Sequence, residues 1–139
     1  MKVKIKVCIA GLIIIIICCG IYKFMNKRYV IAVAHSRRIF ITKTQEDEII
    51  DCVEDIIPYV LPVGHMGFTR GEIEKTGVYI LIKKSFSSYI EDFSIEVDIK
   101  KIEISLEDGL LIIHDVDGYQ DVFGLPANTQ KRLIELLGL

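Results

Sequence analysis

The first pattern along the chain is an unbroken apolar run, Val7 to Tyr22, held between Lys2, Lys4 and Lys6 on one side and Lys23, Lys27 and Arg28 on the other. Sixteen residues at about 1.5 Å each cover roughly 24 Å as a helix, short of a hydrocarbon core of about 30 Å. Ile5 and Phe24 lengthen the apolar stretch, and Lys6 and Lys23 can snorkel, so the segment predicts one membrane-spanning helix.

After it the periodicity changes. Val30 to Ala34 and Ile39 to Thr42 read as two strands joined through His35-Ser36-Arg37-Arg38. Thr44 with Asp47 has the spacing of a capping box, and Ile49, Ile50, Val53, Ile56, Ile57 and Val60 follow at helical intervals until Pro58 and Pro62 stop them. Val78 to Lys83 reads as a buried strand. From Ser94 the residues alternate strictly, with Ile95, Val97 and Ile99 in one phase and Ile102, Ile104 and Leu106 in the other. A phase reversal at Lys100-Lys101 predicts a β-bulge there. Asp108-Gly109 and Asp117-Gly118 predict two hairpin turns in a meander of strands near 94–106, 110–115 and 119–123. A last helix begins at Asn128 or Thr129 and buries Leu133, Ile134, Leu136 and Leu137. The expected fold is α+β: an N-terminal transmembrane helix, then a small antiparallel sheet with two helices packed on one face.

Charge divides the chain at the same place. Residues 1–28 carry six Lys or Arg and no acid, which leaves eleven bases against nineteen acids, a balance of −8, for residues 29–139. A basic n-region and anchor (1–28) thus precedes an acidic domain of about 110 residues, enough for one core. Such a domain repels phosphate backbones, so no nucleic acid is expected as partner, whereas a basic protein would be attracted. Cys8, Cys18 and Cys19 lie in the apolar run and only Cys52 lies beyond it, so no disulfide forms within the domain.

The run could also be a cleaved signal or a lipoprotein signal. Ala32-Val33-Ala34 has a small-x-small form but sits behind three basic residues, and Ile17 before Cys18 is too bulky for lipoprotein processing. A retained single-pass anchor in a cytoplasmic membrane is favoured. The lysine-rich start favours placing the domain outside that membrane, although Lys23, Lys27, Arg28, Arg37 and Arg38 on the other side pull the opposite way.

Candidate chemistry is sparse, and no motif calls for a metal or cofactor. Asp115, Asp117 and Asp121 hint at a calcium loop, but Asp117-Gly118 is better read as a turn. Gly64-His65-Met66-Gly67 has the GxxG spacing of an RNA clamp without the helix that should lead into it. His35, His65 and His114 have no ligand spacing, Cys52 falls on the apolar side of its helix, and no catalytic residue is recognisable.

The first helix of the domain is different, because Asp47, Asp51, Glu54 and Asp55 gather on its polar side. Those four are the expected binding residues. They fit a membrane-anchored, non-enzymatic protein-binding or inhibitory module that meets a basic partner. An immunity-type inhibitor guarding a bacterial envelope has this layout, a likeness of architecture and not of motif. An accessory subunit of an envelope complex and an anchored envelope hydrolase are the alternatives.

Overall fold

The computed structural model describes residues 2–25, 29–63 and 77–139. Helix α1 (Lys2–Met25) comes first and its side chains from Lys2 to Phe24 are all exposed. Its 24 residues rise about 36 Å, so it is long and apolar enough to cross a bilayer.

The remaining elements are β1 (Tyr29–Ala34), β2 (Arg37–Ile39), α2 (Lys43–Ile56) with a 3₁₀ turn at Ile57–Tyr59, β3 (Val78–Ile90), a second 3₁₀ turn at Glu91–Phe93, β4 (Ile95–Ser105), β5 (Leu110–Asp115), β6 (Gln120–Gly124) and α3 (Ala127–Leu136). The strands form one six-stranded antiparallel sheet in the order β2-β1-β3-β4-β5-β6. The predicted α+β class and meander are therefore present. Ala32 is fully buried in β1, so cleavage after Ala34 would strip a strand from the sheet.

Alternation sends Val30, Ala32, Ile80, Ile82, Ile104, Leu111 and Phe123 to the face under α2 and α3, where Ile49, Ile50, Val53 and Leu133 meet them in one core. The predicted bulge is there: Ile99 pairs with Asp115 and Lys101 with His114, leaving Lys100 as the extra residue. Between the same two rungs β3 holds two extra residues, Lys84 and Ser85, because Lys83 pairs with Lys101 and Phe86 with Ile99. Two, one and no inserted residues across β3, β4 and β5 make one margin longer than the other. The β3–β4 ribbon bends accordingly. Its tip comes back over the core, with Phe93 edge-on to Phe123 at a centroid distance of 5.9 Å.

Several predicted boundaries move. The first hairpin turns in two residues, His35 (φ 49°) and Ser36 (φ 68°), so Arg37 and Arg38 belong to β2 and the strand stops at Ile39. The hairpin was expected, but its two-residue turn was not, because positive φ at both positions is usually supplied by Asn-Gly. Strand β3 runs seven residues past Lys83, because its bulge interrupts the apolar run that marked it. Helix α2 is capped by Thr42 and not Thr44: Gln45 N–H donates to Thr42 Oγ1 at 3.2 Å, and Thr42 N–H donates to Gln45 Oε1 at 2.9 Å. The choice has a tertiary reason, since Gln45 Nε2 also donates to the Leu136 carbonyl at 2.8 Å and ties the start of α2 to the end of α3.

Helix α3 starts at Ala127 behind Pro126, whose carbonyl accepts from Gln130 N–H at 2.9 Å, so neither Asn128 nor Thr129 is the cap. Thr129 is turned inward instead. Leu133 and Leu137 are buried and Ile134 and Leu136 partly so, as the helical spacing predicted. The helix ends in a Schellman motif on Gly138 (φ 71°), with Leu139 N–H reaching Ile134 O at 3.2 Å and Gly138 N–H reaching Glu135 O at 3.0 Å.

Candidate functional site

The acidic side of α2 divides into acids with intramolecular partners and acids that face water. Lys43, now the first residue of the helix, lies 3.3 Å from Glu46 and 3.2 Å from Asp47. Those two carboxylates, Asp47 foremost, hold the Lys43 ammonium above its ordinary pKa. Arg132 of α3 reaches Glu48 at 3.2 Å, and Lys84 of β3 pairs with Glu54. Glu54 is therefore drawn toward the bent ribbon and away from the other three predicted residues. Asp51 and Asp55 are exposed and have no ion pair among the described residues. Asp47, Asp51 and Asp55 stand at i, i+4 and i+8, which forms one stripe on the helix surface.

A second polar constellation lies on the sheet face that α2 and α3 leave open. Pairing places Tyr79 opposite Ser105, Leu81 opposite Glu103, Glu103 opposite Ile112, and Lys101 opposite His114, so all of these share that face. Glu103 is the hub. Its carboxylate lies 3.1 Å from Lys101 Nζ, where it accepts a hydrogen bond, and 3.1 Å from His114 Nε2. The His114 contact is close in distance but off the hydrogen-bonding line, which leaves buried Nε2 without a well-formed partner. His114 first, then Lys101 and the Tyr79 hydroxyl, outweigh burial and lower the Glu103 pKa to about 2. Burial and the neighbouring Glu103 charge push the Tyr79 phenol far upward.

These shifts limit the chemistry. A carboxyl this acidic is a weak general base, and a phenol raised this way does not ionise near neutrality. Ser105 on the same face exchanges hydrogen bonds with Asp108, its Oγ donating to Oδ2 at 2.7 Å, and the cluster brings no activated nucleophile to Glu103. The cluster holds a carboxylate in a mostly aliphatic face.

The chain matches no family model, no curated protein and no solved structure. Its chemistry rests on its own residues.

The other sequence candidates stay apart. Asp115 Oδ1 accepts Tyr119 N–H at 2.8 Å and Gly118 takes φ 93°, so Asp115 to Tyr119 is a turn stabilised by its own aspartate. No group of metal-ligating side chains occurs among the described residues. His35 sits in the β1–β2 turn and His114 pairs in the row that starts at Tyr29, at opposite ends of the sheet; His65 and the Gly64–Gly67 motif lie outside the described residues. Cys52 packs at the edge of the core. Burial raises its thiol pKa, Arg132 partly offsets that, and Asp55 adds to it, so the thiolate is disfavoured.

Proposed function

We propose that this protein is a membrane-tethered protein-binding module in which α1 anchors a domain outside a cytoplasmic membrane and α2 offers Asp47, Asp51 and Asp55 to a basic partner. The anchor is supported by the exposure of α1 on every side, because apolar surface of this extent is stable only where water is absent. The lysines before the helix support an uncleaved signal anchor with the domain exported.

One observation carries the binding surface. The bases that pack near α2 are already paired, Arg132 with Glu48, Lys84 with Glu54 and Lys43 with Glu46 and Asp47, yet Asp51 and Asp55 still face solvent one turn apart. Like charges at this spacing disfavour the helix slightly, and a cationic partner would relieve that repulsion while being steered toward the surface.

The test is a charge reversal in the membrane-bound chain. Asp51→Lys with Asp55→Lys should slow association with the basic partner roughly tenfold at low salt, with less difference at high salt. Replacing α1 by an unrelated transmembrane helix should leave association unchanged. Equal association rates for wild type and the charge-reversed form would rule out the acidic stripe as the binding surface.

A further inference from the structure

Helix α2 gives way at Ile56 to the 3₁₀ turn Ile57–Tyr59, with Ile56 and Ile57 both keeping right-handed helical geometry. Tyr59 therefore stands one turn beyond Asp55, and it is 66% exposed. The second 3₁₀ turn, Glu91–Phe93 at the tip of the β3–β4 ribbon, packs against this one. It brings up Phe93, which is 43% exposed although its ring meets buried Phe123 edge-on. Ile95 pairs opposite buried Ile90 and so turns to the core side of the ribbon, yet it stays 48% exposed. Pro62, also exposed, bridges to Phe123 from the β6 side. Apolar surface thus collects where the ribbon tip meets the end of α2, and the core beneath does not take it in.

Charge at this place has one sign. Residues 44–63 and 85–99, the two segments that supply these side chains, contain ten acids and no base. Lys43, Lys84 and Arg132 reach them from outside and are already paired, with Glu46 and Asp47, with Glu54 and with Glu48. Asp51, Asp55, Glu91, Asp92 and Glu96 are exposed and have no ion pair among the described residues. Along β4 the next base after Ile95 is Lys100, about 17 Å back along the strand.

An apolar centre inside a charged rim is the layout of a protein interface, with the centre supplying affinity and the rim choosing the partner. We propose that Tyr59, Pro62, Phe93 and Ile95 form the apolar seat of the α2 surface, and that the partner is a cationic segment carrying a large apolar side chain. That side chain rests on the seat while the segment's lysines or arginines meet Asp51 and Asp55 on one flank and Glu91 and Asp92 on the other. A second copy of this face would set acid against acid, which disfavours a homodimer through it. The inference rests on the reading of α2 as the binding surface, and it adds the apolar half of the contact.

The chain has no tryptophan, so Tyr59→Trp places a lone indole on the seat. The full chain is held in phosphatidylcholine nanodiscs and titrated with two dye-labelled nonapeptides, eight lysines around a central leucine or around a central serine. The leucine peptide should bind wild type roughly fivefold tighter than the serine peptide. It should also shift the indole emission at position 59 to the blue, which the serine peptide should not. Tyr59→Ser removes an exposed side chain and should bring the two affinities together. Asp51→Lys with Asp55→Lys should weaken both peptides alike, roughly tenfold at low salt. Equal affinity of the two peptides for wild type, with the charge reversal still weakening both, would overturn the seat and leave the acidic stripe standing. Binding of neither peptide would overturn both. A blue shift of the position 59 indole with rising protein concentration alone would place a second copy on the seat and overturn the cationic partner.

Discussion

The two faces of the sheet are made by alternate residues of the same strands, and they solve the problem of charge in opposite ways. Ile104 is fully buried beneath the helices, while its neighbour Glu103 points to the open face and carries a full negative charge. The core beneath the helices is built from apolar side chains, with Thr129 as the buried polar one among the described residues on that side. The open face holds a carboxylate because Lys101, His114 and Tyr79 converge on it from three strands. Stability resides mainly in the first face. The second also buries Tyr79, Ser105, Ile112 and His114, with Leu81 and Ile31 half-buried around the cluster, and has greater chemical variety.

The contrast can be broken most sharply at that pair of neighbours. Moving the charge across with Ile104→Glu should prevent folding, because an unpartnered carboxylate in the core is destabilising by about 5 kcal/mol or more. Loss of the cooperative unfolding transition in the detergent-solubilised chain would show it. Phe123→Ala ranks next, at about 3–5 kcal/mol, since it removes a fully buried ring and the surface that receives Phe93. Leu81→Ala on the open face should cost about 1 kcal/mol, with both alanine variants compared by urea titration of the detergent-solubilised chain. Similar losses at both positions would mean that the faces are not energetically distinct.

Glu103→Gln has a smaller effect with a distinctive pH signature. The folded pKa of Glu103, about 2, lies below the ordinary carboxylate value of 4.5. Its contribution is therefore fully present above about pH 4.5 and disappears as pH falls through about 2. Allowing for solvent screening, that contribution is about 1–2 kcal/mol. The variant should lose that amount at neutral pH and show a shallower acid limb, read from urea midpoints between about pH 2 and 6. Smallest of all, Asp51→Lys with Asp55→Lys should change stability by no more than about 0.5 kcal/mol, because both side chains are exposed.

What could be foreseen depended on whether the signal was local. The bulge at Lys100 was legible because a strand cannot reverse its apolar phase without an extra residue. The Asp-Gly turns and the buried positions of α2 and α3 were legible for the same reason, each being encoded within a few residues. The cap of α2 was misplaced because Thr42-Gln45 and Thr44-Asp47 carry nearly the same pattern, and the link from Gln45 to Leu136 that favours the former crosses 91 residues. Of the binding residues, the Asp47, Asp51 and Asp55 spacing was visible. The departure of Glu54 toward Lys84 was not, since that pair joins α2 to β3 across 30 residues. The Glu103 cluster was hidden for a related reason: Lys101 and Glu103 are visibly on one side of a strand, but Tyr79 and His114 join them only through register.

Whether a tethered domain recognises a basic protein through α2 can be decided by photo-crosslinking from position 51 in the membrane-embedded chain. Docking on the acidic stripe predicts one discrete adduct with a basic protein, lost when Asp47 and Asp55 are both changed to Lys and weakened at high salt. An adduct of undiminished yield in that charge-reversed chain would contradict it.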